Sequence, residues 1–292
     1  MIKQLKMKIL ILGSSGFLGK IIYNKLKNNY KTIHTGLNKR KYSLTDLSNI
    51  KKILLQNKPD LIINCVALTN IDTCEKLPKE SYNINVNIPK NIFNIKKKYK
   101  LFFKFIQFST DQFYDSKFDF ENKESSTIKI NNIYARHKLL AEKICIKNKS
   151  LIFRTNFFGK QKTSFSHWVY TRFKNKTKKK FYLFSDVCFS PLRATKIANI
   201  IKYIIFNKFY FKYGVYNLGS KQGMSKSNFA ILFAKKLNIF NKNKFDIVNS
   251  SKIFKTKRSK HMRMNVNKFE KTFKLKLNSL KNEINLGVKE YD

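Results

Sequence analysis

The stretch Lys8-Ile9-Leu10-Ile11-Leu12-Gly13-Ser14-Ser15-Gly16-Phe17-Leu18-Gly19 decides how the rest of the chain is read. A short apolar run that stops at a glycine is the mark of a strand buried on both faces. Helical spacing of apolar residues resumes at once, from Phe17 to Lys27. Glycines between a strand and a helix allow a tight turn and a close approach of backbone to ligand. The free N–H groups at the helix start then favour a pyrophosphate. The alternative for these residues is a plain glycine turn, and the strand–turn–helix context weighs against it.

Working outward, the same alternation repeats. Tyr30 to Thr35, Leu61 to Val66, Phe103 to Phe108 and Leu151 to Thr155 have strand character, and Gly214 to Leu218 looks like one more. Thr45 to Gln56 and Ile133 to Lys147 have helical spacing, as does a region from about 72 to 98 interrupted near Pro78 and Pro89, and residues 193 to 208. Repeated βα units predict an α/β fold, a Rossmann-type doubly wound parallel sheet, with a smaller C-terminal substrate lobe. The expected division is residues 1–159 with about 191–220 as the nucleotide-binding domain, and about 160–190 with 221–292 as the lobe. Residues 160 to 190 read as irregular basic loops.

Composition narrows the function classes. The chain has 292 residues and a formal net charge of +44. A polyanion partner is the obvious inference from such a charge. Against it, lysines outnumber arginines 54 to 7 and are spread along the whole chain, whereas base readers lean on the arginine fork. A general surface bias explains the charge better than specific nucleic-acid binding. No apolar run is long enough to span a membrane. Lys3, Lys6 and Lys8 precede an apolar stretch, but the glycines break any signal-peptide core. The four cysteines form no CxxC pair and suit free thiols in a reducing cytoplasm. The expected location is therefore cytoplasmic.

Two further motifs carry chemistry. The first follows the second strand, where an acid would bind a ribose 2′-hydroxyl. From His34 to Tyr42 there is no carboxylate, but Lys39, Arg40 and Lys41 are present. That favours the 2′-phosphate of NADPH, with NADH as the second choice; a solvated lysine patch is the alternative. The second is Tyr134-Ala135-Arg136-His137-Lys138. One helical turn separates Tyr134 from Lys138, so an ammonium can lower the tyrosine pKa and make it a usable acid. Tyr23/Lys27 and Tyr170/Lys174 share the spacing. Only Tyr134 opens a helix after the strand that runs into Ser109-Thr110-Asp111, which would let Thr110 bond the same carbonyl oxygen.

The GxxGxxG spacing resembles the extended short-chain dehydrogenase/reductases. The run Ser109-Thr110-Asp111, Tyr134-x-x-x-Lys138 and Leu139-Leu140-Ala141-Glu142 is similar to the dTDP-4-dehydrorhamnose reductase family. The similarity continues at Asn64 to Thr69, Asn85, Arg154-Thr155, Ser190-Pro191, Gly214 to Gly219 and Asn267 to Phe273. It thus spans nearly the whole chain. The resemblance implies catalysis by Thr110, Tyr134 and Lys138. It implies a cofactor held by Gly13, Ser15, Gly16, Phe17, Leu18, Gly19, Lys39, Arg40, Ala67, Tyr134 and Lys138. The implied reaction is NADPH-dependent reduction of the C4 ketone of a nucleotide-linked 6-deoxy sugar. A homodimer bridged by Mg2+ occurs among such relatives, but no glutamates for it can be picked out here. The chain departs from the family at Gln112, Leu192, Ser259 and Ser43. Gln112 stands where sugar-nucleotide dehydratases carry a proton-removing glutamate, which disfavours dehydration. Three other readings stay open: a related epimerase or reductase, a non-catalytic NADP-binding regulatory subunit such as the methionine adenosyltransferase beta subunit, and a nucleic-acid-binding protein.

Overall fold

A computed structural model describes residues 5–35, 43–117, 120–175, 177, 179–207 and 211–291. In chain order the elements begin β1 (Leu5–Leu12), α1 (Phe17–Leu26), β2 (Tyr30–Thr35), α2 (Leu47–Asn57), β3 (Leu61–Asn64), α3 (Ile71–Lys76) and α4 (Pro78–Tyr82). A π turn (Asn83–Asn87) follows, then α5 (Ile88–Lys98), β4 (Lys104–Thr110), α6 (Ile133–Lys147) and β5 (Leu151–Thr155). Beyond these lie β6 (Phe157–Phe158), α7 (Phe165–Lys174), β7 (Phe181–Phe184), β8 (Cys188–Phe189), β9 (Leu192–Arg193), α8 (Ala194–Phe206) and β10 (Gly214–Leu218). The chain ends with β11 (Met224–Ser225), α9 (Lys226–Lys236), β12 (Phe245–Val248), α10 (Asn267–Phe273) and α11 (Leu280–Gly287).

Six strands form the central sheet in the order β10-β5-β4-β3-β1-β2. β1 runs parallel to β2 and β3, and β3 parallel to β4. Ile9 to Leu12 and Leu61 to Ile63 are all within 2 % of full burial. That is the signature of strands covered on both faces. One face carries Leu10, Leu12, Ile62 and Phe105, packed with Ile50, Ile53 and Leu54 of α2 and Ile88, Ile92 and Phe93 of α5. Helix starts follow local chemistry. Asp46 accepts from the Ser48 N–H at 2.8 Å to cap α2, and Asn132 accepts from the Ala135 N–H at 2.8 Å to cap α6. No helix among the described residues is long and apolar enough to cross a membrane.

The chain divides into two compact units, the first comprising residues 1–109, 132–153 and 197–215, the second 110–131, 154–196 and 216–292. The sequence reading groups residues 110–131 with the first unit, but they pack within the second. Arg154 Nη1 donates to Tyr114 Oη and Tyr114 Oη donates to Asn217 Oδ1, each at 2.8 Å. The Asn217 N–H donates to Glu124 at 2.7 Å. These are contacts between distant residues that no local pattern announces.

The second unit also corrects the expectation of loops over 160–190. Ser164 caps α7 by accepting from the His167 N–H at 3.1 Å, and the helix buries Val169 and Phe173. Its core is aromatic, with Phe158, Phe173, Phe181, Phe189, Phe229 and Phe233 packed around Leu280 and Ile284. Tyr170 is therefore helical, not in an irregular segment. Pro89 corrects another expectation. It sits in the first turn of α5, where its missing N–H costs little, and the preceding π turn widens the helix instead of ending it.

Candidate active site

The glycine turn is built as its sequence requires. Gly13 has φ +79°, and a Cβ there would meet the Val66 backbone nitrogen at 3.0 Å. Its N–H donates to the Thr35 carbonyl at 2.8 Å, tying the turn to β2. A Cβ on Gly19 would run into the Gly13 carbonyl and lie 3.0 Å from Ser14 Cα. Glycine at 19 thus lets α1 press against the turn. Ser15 and Gly16 are exposed, Phe17 is half-buried, and Leu18 and Gly19 are buried. α1 starts in extended backbone at Gly16, which has no side chain to cap the helix. Such a helix start leaves donors for an anion. Ser14 Oγ lies 3.2 Å from His34 Nδ1, a contact the sequence did not suggest. Ala67 is half-buried just beyond β3. Lys39 and Arg40 lie outside the described residues.

Tyr134 and Lys138 occupy consecutive turns of α6, 8 % and 3 % exposed. Lys138 Nζ donates to the Phe108 carbonyl of β4 at 2.6 Å. Burial pulls its pKa down from 10.5 to about 8, against the opposing pull of Cys145, Glu142 and Cys65. The lysine is thus a charged, nearly dry ammonium at neutral pH, anchored on a carbonyl dipole. Tyr134 belongs to an apolar cluster with Ile71 and Cys74 of α3, against which Leu68 and Ile133 pack. α6 is held at its start a second time by Glu75, which accepts from the Ile133 N–H at 2.6 Å. Thr110 ends β4, 4 % exposed, and its Oγ1 accepts from the Gln112 N–H at 3.2 Å. It is the first residue of the second unit, whereas Tyr134, Lys138 and the glycine turn share the first.

The second unit contains a charged cluster that the sequence did not reveal. Asp111 is 1 % exposed and accepts from Asn156 Nδ2 at 2.9 Å. Burial pushes its pKa up to about 6, while Asn156, Lys226 and Gln112 pull it back. Lys226 Nζ lies 5.2 Å from the Phe165 ring centre and 5.8 Å from that of Phe189. Only proximity in the fold joins residues 111, 156 and 226. Among the described residues no group of three or more His, Cys, Asp or Glu is arranged to hold a metal.

Comparison with known proteins gives a consistent result. The profile of the family described as RmlD substrate binding domain matches residues 7–292. The spore coat polysaccharide biosynthesis protein SpsK of Bacillus subtilis is 26% identical over 199 residues, 66% of this chain and 68% of that protein. The dTDP-4-dehydrorhamnose reductase of Aggregatibacter actinomycetemcomitans is 25% identical over 232 residues, 77% of each. The methionine adenosyltransferase 2 subunit beta of Bos taurus is 24% identical over 147 residues, 48% of this chain and 43% of that one. Among solved structures, a dTDP-4-dehydrorhamnose reductase from Clostridium acetobutylicum superposes with a TM-score of 0.86 at 24% identity, covering 97% of this chain and 99% of that one. One from Bacillus anthracis in complex with NADP gives 0.86 at 22% identity, covering 98% and 100%. At these identities the structural likeness speaks for the fold.

Proposed function

The chain belongs to the RmlD substrate-binding-domain family, and from that premise we propose that it reduces the C4 ketone of a nucleotide-linked 6-deoxy sugar with NADPH. The substrate we assign is dTDP-4-dehydrorhamnose, giving dTDP-L-rhamnose. The observation that carries the reading is the pair Tyr134 and Lys138 on one face of α6, in the same compact unit as the glycine turn.

The turn fits a dinucleotide: Gly13 and Gly19 let it close tightly on Val66 and on α1 where a Cβ would collide with backbone, and a helix start behind such a turn favours phosphates. Gly13, Ser15, Gly16, Phe17, Leu18 and Gly19 would hold the pyrophosphate, Ala67 would lie along the cofactor, and Lys39 and Arg40 would meet a 2′-phosphate. When bound, NADPH supplies hydride to the ketone carbon. Tyr134 gives its hydroxyl proton to the ketone oxygen. The fixed positive charge of Lys138, one turn away, stabilises the resulting tyrosinate; its grip on the Phe108 carbonyl keeps it there. Thr110 orients the same oxygen. Lys226, close to Asp111 and flanked by two phenyl rings, supplies positive charge for the nucleotide sugar.

The test is NADPH oxidation against a panel of nucleotide 4-keto sugars. Turnover of the rhamnose precursor is expected. Protein that binds NADPH and reduces none of them would instead support a regulatory subunit, the reading favoured by the partial likeness to the methionine adenosyltransferase beta subunit.

A further inference from the structure

Helix α6 carries a buried polar side chain that the proposed chemistry does not use. His137 stands between Tyr134 and Lys138, is 6 % exposed, and places Nδ1 2.8 Å from Ser81 Oγ of α4. Ser81 is fully buried and accepts from Asn85 Nδ2 at 3.2 Å. Asn85 lies in the π turn and grips Leu68 by both backbone groups. The Leu68 N–H donates to Asn85 Oδ1 at 3.0 Å, and Asn85 Nδ2 donates to the Leu68 carbonyl at 3.0 Å. Leu68 in turn packs on the apolar cluster formed by Tyr134, Ile71 and Cys74, and its carbonyl accepts from Cys74 Sγ at 3.5 Å.

Counting donors fixes the Asn85 end of the chain. The Asn85 oxygen is taken by an N–H, so its two amide protons go to the Leu68 carbonyl and to Ser81 Oγ. Ser81 Oγ accepts from Asn85 and shares one further hydrogen bond with His137 Nδ1, whose direction is set by the imidazole tautomer. Burial, with Arg136 adjacent, holds His137 below its usual pKa, opposed by Glu75 of α3. The Tyr82 ring of α4 meets the imidazole edge-on at 5.3 Å. A path of hydrogen bonds thus leaves α6 at His137, crosses α4 and the π turn, and ends at Leu68, which packs on the cluster that contains Tyr134.

We infer that His137, Ser81 and Asn85 are positioning residues that lock the Leu68 segment onto the apolar cluster holding the Tyr134 ring and so keep its hydroxyl in register for proton transfer. The inference rests on the reading of Tyr134 as the acid. A small displacement of an acid from the reacting atom costs rate without costing ligand affinity.

The experiment labels tyrosine with 13C at Cζ, assigns the Tyr134 resonance with Tyr134→Phe, and compares wild type with Ser81→Ala, His137→Leu and His137→Asn. The asparagine amide, donor and acceptor, can take the place of Nδ1; leucine keeps bulk alone. Ser81→Ala and His137→Leu should shift the Tyr134 resonance and its titration midpoint. They should lower kcat about tenfold, with NADPH Kd within about twofold. His137→Asn should restore both. A resonance unchanged in all variants, or His137→Asn as impaired as His137→Leu, would overturn the inference. The resonance needs no substrate. A wild type that turns over no keto-sugar but shows these shifts would therefore refute the reductase reading and keep the relay.

Discussion

Three tyrosines stand four residues before a lysine, and their surroundings tell them apart. Lys27 Nζ lies 6.0 Å from the centre of the Tyr23 ring, and that ring also meets His34 at 4.3 Å. Lys174 Nζ sits 4.8 Å over the ring of Tyr170, which leans on Tyr291 at 5.0 Å. In both pairs the ammonium sits over a ring face. Lys138 instead turns to the Phe108 carbonyl, staying buried near Tyr134. Replacing Tyr134 with Phe should therefore cut kcat by roughly 10²–10⁴, while the same change at 23 or 170 stays within about threefold. Equal losses in steady-state assays of all three would mean that the spacing and not the setting matters. Tyr134 was legible because its helix follows the right strand. His137 and Ser81 were not, because a bond between side chains 56 residues apart leaves no local pattern. The buried lysine also has a thermodynamic signature. Its folded pKa of about 8 lies below the ordinary 10.5. Between these values the unfolded chain keeps a proton that the folded chain has released, so this group makes stability rise with pH across that window. Below pH 8 both states are charged and the contribution is constant. Denaturant titrations should show wild type gaining about 3 kcal/mol on Lys138→Met between pH 8 and 10.5; a flat difference would refute it.

At the scale of elements, β2, α6, β5 and β10 have the bounds their sequence patterns suggest. Apolar periodicity and turn chemistry agree there, so tertiary context had nothing to override. α7 was missed because the apolar residues it turns toward the core, half-buried Phe165 and buried Val169 and Phe173, are types of middling helix propensity, embedded in a lysine-rich stretch. The small strands β6, β8, β9 and β11 span two residues each and exist only through their partners. The glycine turn is the element whose logic is plainest, and it separates two glycines of the same motif. A Cβ on Gly16 would have one close neighbour, the Gly13 carbonyl at 3.3 Å, whereas on Gly19 it would collide with backbone that cannot move aside. Gly19→Ala should cost about 1–3 kcal/mol of stability and weaken NADPH binding by about tenfold or more. Gly16→Ala should cost less than half as much stability. Thermal unfolding and fluorescence titration measure the two effects, and equal destabilisation would show that α1 does not press on the turn as described.

For the whole molecule, the net charge of +44 must be reconciled with an enzyme of small anionic substrates. Several lysines are occupied with the chain's own aromatic rings, at 4.6 Å for Lys96 over Phe103, 4.9 Å for Lys104 over Phe211 and 4.8 Å for Lys268 over Tyr216. These positions lie in both units and on different elements, a scattered distribution and not a track of arginines set for base edges. Such a surface attracts any polyanion through counterion release alone. A nucleotide sugar held in a built site gains from hydrogen bonds that salt does not screen in the same way. Binding to DNA or RNA should therefore be indifferent to sequence and should fall steeply, by about 10³-fold or more between 50 and 200 mM salt. Affinity for NADPH should fall much less over the same range. Parallel titrations of a mixed-sequence duplex, a second unrelated duplex and NADPH across that salt series decide the matter. A duplex preferred over the other and still bound tightly at 200 mM salt would show that the charge serves a nucleic-acid partner.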